Sequence, residues 1–131
     1  MSRNASDLVQ LEADQREIHD EERTDRLLNL LHDQECRDIM CKTKEQTLTA
    51  EELSEHCEIA LSTTYRKLDQ LVDAGIVEEQ IRLSIQNQQT REYSLRVSEF
   101  NVDVTDDDGL RLTLAEDQIL SEQSGNQLRV E

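Results

Sequence analysis

Between Thr49 and Gly75 the sequence specifies two helices separated by a gap that admits only a sharp turn, and after Gly75 the apolar spacing changes from helical to alternating. Thr49 is an N-cap residue and Glu52 follows three positions later, the pairing of a capping box, so a helix is predicted over 50–57. Ala50, Leu53 and Cys57 fall on its inward side, while Glu51, Glu52 and Glu55 face water. Glu58-Ile59-Ala60 is the turn. In the segment 61–75 a stripe of Leu61, Thr64, Leu68, Leu71 and Val72 runs down one side, and Gly75 supplies the C-terminal cap. The opposite side carries Ser62, Thr63, Arg66, Lys67 and Gln70. Two helices joined by so short a turn form a helix-turn-helix.

The flanking segments complete a larger pattern. Leu27, Leu28, Leu30 and Leu31 cluster at helical spacing, Asp33 interrupts them, and Ile39 and Met40 continue, predicting helices over 24–32 and 34–45. Ile81, Leu83 and Ile85 alternate with Arg82 and Ser84, and Tyr93, Leu95 and Val97 repeat the period of two, giving a hairpin. Its loop, residues 86–91, is polar and free of acid. Phe100, Val102 and Val104 pair by pattern with Leu110, Leu112 and Leu114 across Asp106-Asp107-Asp108-Gly109, a second hairpin. Residues 7–23 read either as a helix with Leu8, Leu11 and Ile18 inward or as a solvated tail, and 115–122 as a short helix within a frayed end. The expected fold is α+β: a winged helix-turn-helix over 24–98, an acidic segment over 1–23, a C-terminal β-hairpin over 99–114 and an acidic tail over 115–131.

Charge constrains what such a fold meets. Among 131 residues, 30 acids face 14 cations, a net of -16, and only 3 of the cations are Lys. That sign opposes phosphate binding. Residues 1–25 hold 8 acids and 3 cations, residues 99–131 hold 9 and 2, so the middle is only -4. Within 60–91, Arg66, Lys67, Arg82 and Arg91 balance Asp69, Asp73, Glu78 and Glu79. A surface that approaches DNA is expected there. Acidity with few Lys and 2% aromatic residues fits a cytoplasm rich in salt, where screening acts over roughly 3 Å and salt cations gather at the acidic surface. A nucleic-acid mimic or a partly disordered acidic adaptor is the alternative. No apolar run reaches the roughly 20 residues of a membrane span, and the N-terminus has no signal-like stretch, so a cytoplasmic protein is expected.

Cys36, Cys41 and Cys57 are odd in number and are expected as reduced thiols. With His32 and His56 they form a candidate set of soft metal ligands, but no C-x-x-C or C-x-C spacing is present. Small buried hydrophobes are the competing reading. Three glycines leave no room for a glycine-rich phosphate loop, and neither a nucleophile elbow nor a His-carboxylate pair is found, so neither an enzyme nor a cofactor is expected.

The run from Leu28 to Met40, then Leu48-Thr49-Ala50-Glu51-Glu52-Leu53, Ser62-Thr63-Thr64-Tyr65-Arg66-Lys67-Leu68 and Ala74-Gly75-Ile76-Val77-Glu78, resembles ArsR-like winged helix regulators, especially those of halophilic archaea. The resemblance covers about residues 24–98. It departs from the family pattern at Glu58, where a Gly often makes the turn, and at Ala60, where Ser or Pro often starts the helix. It implies a dimer that sets the helix beginning near Leu61 in the major groove of double-stranded DNA and the wing near the minor groove. By position, Ser62, Thr63, Tyr65 and Arg66 face DNA, with Lys67 a phosphate contact nearby.

Hydroxyls and a guanidinium at those positions are the groups that bond phosphates and base edges. In the hairpin loop Gln88 and Arg91 join the candidate set. Arg82 and Arg91 also have acids within cross-strand reach, Glu79 and Glu92. The expected function is therefore a sequence-specific, dimeric DNA-binding transcription regulator. A protein-interaction winged helix and a thiol- or metal-responsive regulator stand beside it. For the dimer, the N-terminal helices and the face of the second hairpin are the candidate contacts.

Overall fold

The computed structural model describes residues 15–18, 20–106 and 109–116. Along them run β1 (Gln15–Ile18), α1 (Glu21–His32), α2 (Gln34–Glu45), α3 (Ala50–Cys57), α4 (Leu61–Asp73), β2 (Val77–Leu83), β3 (Gln89–Leu95), β4 (Val97–Val104) and β5 (Leu110–Glu116). The architecture is α+β, a helical helix-turn-helix core with a β-hairpin wing and a further C-terminal hairpin, as the sequence predicts. Two compact units result: Asp25–Arg96, and the described residues before and after it.

In the first unit each helix begins and ends where side chains satisfy the backbone. Asp33 caps α2, its carboxylate accepting from the N–H groups of Glu35 at 2.8 Å and Cys36 at 3.2 Å. At α3 the predicted capping box forms: Glu52 N–H donates to Thr49 Oγ1 at 3.1 Å, and Thr49 N–H to Glu52 Oε1 at 2.9 Å. The α3–α4 turn departs from the ideal as the sequence indicates. Glu58 is left-handed at φ 58, and Ala60 caps α4 without a side-chain bond. Ser54 Oγ ties the turn down by donating to Ile59 O at 2.6 Å. At its far end α4 closes on a Schellman motif, with Gly75 at φ 78, Gly75 N–H donating to Val72 O and Ile76 N–H to Leu71 O, each at 2.9 Å.

Ile39, Leu53, Leu68, Leu71 and Ile76 are fully buried between these helices and the base of the wing. Each contributes roughly 1.5–3 kcal/mol relative to an exposed side chain. One correction concerns the α4 stripe: its buried residues are Thr64, Lys67, Leu68 and Leu71, whereas Leu61 is exposed. The wing is antiparallel, from Val77↔Leu95 to Leu83↔Gln89. Its base is fastened by an isolated bridge in which Leu48 and Tyr93 exchange backbone hydrogen bonds of 3.0 and 2.7 Å. The loop is shorter than expected, since Gln89, Thr90 and Arg91 belong to β3.

The second unit is an antiparallel sheet in the order β1-β5-β4. The strand β1 corrects the expectation of a helix or tail over 7–23. Gln15–Ile18 pairs with β5, from Gln15↔Ala115 to Ile18↔Leu112, because β5 offers a free edge once β4 has taken the other. Ile18 is inward as expected, but on a strand; Leu8 and Leu11 lie outside the described residues. The helix expected over 115–122 is likewise corrected at Ala115 and Glu116, which extend β5, and its remainder lies outside the described residues. In the β4–β5 turn Asp107 and Asp108 are outside the described residues, and Gly109 has φ 87. On the apolar face of this hairpin Leu112 and Leu114 of β5 are inaccessible, while Val102, the register partner of Leu112, and Val104 are 49% and 83% exposed.

Candidate nucleic-acid interface

The outer face of α4 follows from the helical repeat. With Thr64, Lys67, Leu68 and Leu71 turned inward, Ser62, Arg66 and Gln70 are left exposed, Thr63 is half-buried and Tyr65 is 39% exposed. The first turn of α4 holds no acid, and Ala60 offers its backbone N–H groups no side-chain acceptor. Such N–H groups suit an anion.

Tyr65 and Arg91 meet across a cleft of about 490 Å³ between α4, the start of α3 and β3. Tyr65 donates its hydroxyl to Glu51 Oε2 at 3.3 Å. Burial and the Glu51 charge push the Tyr65 phenol above its ordinary value, so it keeps its proton. Gln89 and Thr90 line the same cleft and were missed by sequence reasoning, which placed them in a loop; a strand extended three residues further would have found them.

Both wing arginines are paired diagonally across the strands, Arg91 Nε with Glu79 Oε2 at 3.2 Å and Arg82 Nη2 with Glu92 Oε2 at 2.9 Å. Both guanidinium side chains are nonetheless 67% exposed, so the pairs orient them without removing them from solvent. Gln88 stands at the wing tip, away from the cleft. There Ser84 Oγ accepts from the N–H groups of Gln86 and Gln88, and Asn87 is left-handed at φ 66. This turn presents Ile85 wholly exposed, above Leu83 and Ile81 at 63% and 57%.

Lys67 does not join the exposed group, which corrects its expected role as a phosphate contact. It is 8% exposed and its ammonium is bonded to Asp33, with Glu35 Oε1 at 3.5 Å. The Asp33 hydrogen bond raises the Lys67 pKa, and the same bond lowers that of Asp33. The 64, 67, 68, 71 spacing was the available signal for this inward position.

The thiols are dispersed in environment: Cys36 buried, Cys57 intermediate, Cys41 exposed. Burial pushes Cys36 up to about 11 and raises Cys57 as well. Among the described residues no group of three or more His, Cys, Asp or Glu is arranged to hold a metal ion. Nor, among them, is any helix long and apolar enough to cross a membrane.

Residues 30–80 match the family model of a helix-turn-helix domain. The matched span runs from the end of α1 through α4 into β2, so it contains the α3–turn–α4 unit and supports a DNA-binding regulator. No curated protein matches the chain.

Proposed function

We propose that the chain is a sequence-specific DNA-binding transcription regulator of the ArsR-like kind, dimeric and adapted to a salt-rich cytoplasm. One observation carries this reading: in a chain of net charge -16, the N-terminal half of α4 exposes Ser62, Arg66 and a first turn without acid, and its Tyr65 shares a cleft with Gln89, Thr90 and Arg91 of the wing. Ser62, Thr63, Tyr65 and Arg66 contact the major groove, and Gln88 and Arg91 the flanking backbone. The half-exposed end of the β4–β5 face, Val102, Val104 and Leu110, is the candidate dimer contact. The protein works by occupancy, not catalysis. Acidic residues outside the interface hold salt cations, so DNA binding weakens less with salt than counterion release from a basic protein dictates.

Fluorescence anisotropy with genomic fragments, from 0.1 M to molar KCl, tests it. Saturable binding to a minority of fragments is expected; equal affinity for every fragment, or none at any salt, sinks the reading. Light scattering in high salt tests the dimer.

A second reading has its own observation. Ile81, Leu83 and Ile85 make an exposed aliphatic stripe along the wing, as a protein partner requires. Retention of a partner by the wild-type chain but not by an Ile81→Ser/Leu83→Ser/Ile85→Ser variant, with no DNA bound, favours it.

A further inference from the structure

On the flank of α4 away from the wing lies a second concavity, about 450 Å³, walled by α1 and α4. Arg26 and Asn29 project from α1 at i and i+3, and Arg66 and Gln70 from α4 at i and i+4. Lys67 forms part of the floor, where Asp33 neutralises it. Among the described residues neither Arg26 nor Arg66 is in an ion pair, although the chain has more than twice as many acids as cations. Asp73 is the remaining acid on the rim, opposed by two guanidinium groups.

We propose that this cavity is an anion site that takes a phosphate group between Arg26 and Arg66, with the amides of Asn29 and Gln70 donating to its remaining oxygens. A guanidinium presents paired donors that match phosphate oxygens, and here two line one cavity from different helices. The volume lies in the range of small-molecule sites and exceeds one phosphate, leaving space for the group to which it is esterified. The phosphate comes either from the backbone of a duplex lying across α4 or from a small free phosphate compound. Only the first source rests on the DNA reading. In the second, the ligand engages Arg66 and thereby competes with DNA for it.

The test uses the full chain with labelled arginine side chains, at constant ionic strength in KCl. Inorganic phosphate is titrated in one arm and a bound duplex fragment in the other, for wild type and Arg26→Gln. A free-ligand site shifts the Arg26 and Arg66 Nε–H signals at millimolar phosphate, and Arg26→Gln abolishes the shift. A backbone site leaves the free-phosphate spectrum unchanged, while Arg26→Gln weakens the duplex about 5–10-fold for every sequence and reduces the salt slope by about one. Arg26 is exposed, so a thermal melt matching wild type is expected to show the variant folded. If phosphate moves neither signal and Arg26→Gln leaves duplex affinity within twofold, the proposal fails while the DNA reading stands. Phosphate shifts without duplex binding have the opposite meaning.

Discussion

Lys67 of α4 places its ammonium on the carboxylate of Asp33, the same carboxylate that caps the first turn of α2. One side chain therefore joins two helices and starts one of them. Asp33→Ala removes the cap and leaves a buried cation, and is expected to cost about 2 kcal/mol or more in urea unfolding. Lys67→Met, which keeps the stem, is expected to lower Tm yet leave DNA affinity within about twofold. A tenfold loss of affinity at equal fold content would show Lys67 acting on DNA.

The pair also sets a pH signature. Asp33 has its pKa lowered, so its contribution is complete above its ordinary 3.8 and disappears as pH falls through the lowered value. The pKa of Lys67 is raised, so its contribution is complete below 10.5 and is lost as pH rises through the higher value. Stability from this contact is thus flat between those limits. In urea unfolding followed against pH, Asp33→Asn is expected to make the acid limb shallower.

At the helix-turn-helix turn, Glu58 holds a backbone conformation that costs an L residue roughly 1–2 kcal/mol. Glu58→Gly is expected to stabilise the chain by about 1 kcal/mol, and Ala60→Ser to add up to about 1 kcal/mol through an N-cap that α4 lacks. Equilibrium unfolding checks both. A destabilised Glu58→Gly would mean that the Glu58 side chain makes a contact worth more than the relief.

Arg66→Ala is expected to weaken specific DNA by about 1–3 kcal/mol and to relax discrimination at one base position if it reads a base edge. Arg91→Ala is expected to weaken all sequences alike, as a backbone contact does. Competition anisotropy with point-substituted sites separates the two patterns.

Thiol labelling followed by mass spectrometry at pH 8 should find Cys41 modified first and Cys36 last, since Cys36 is buried and its pKa is about 11. Early labelling of Cys36 would reveal opening of the helical core. DNA affinity that shifts with metal or peroxide and becomes indifferent in Cys41→Ser/Cys57→Ser would favour the thiol-responsive reading.

Local chemistry made much of the helix-turn-helix legible. The Thr49 and Glu52 box, the Gly75 cap and the alternation after it are short-range signals, and each corresponds to a hydrogen bond or register in the structure. What escaped was non-local. Four residues, Gln15–Ile18, carry no alternation long enough to announce a strand, and their partner lies near Ala115. The 64, 67, 68, 71 spacing placed Lys67 inward, but a lysine reads as polar until Asp33 is known to stand opposite, so the spacing was overridden. Exposure along the wing was equally illegible: Ile81, Leu83 and Ile85 alternate like a buried face, yet among the described residues no element covers them.

The pairing of β1 with β5 has a consequence during synthesis. Gln15 leaves the ribosome long before Ala115, and at roughly 5–20 residues per second the interval is several seconds. The helix-turn-helix unit, Asp25–Arg96, is already complete in that interval, while the first strand has no edge to join. The winged core is thus synthesised before the β1-β5-β4 sheet can form, and among the described residues the last strand made is the one that pairs with the first.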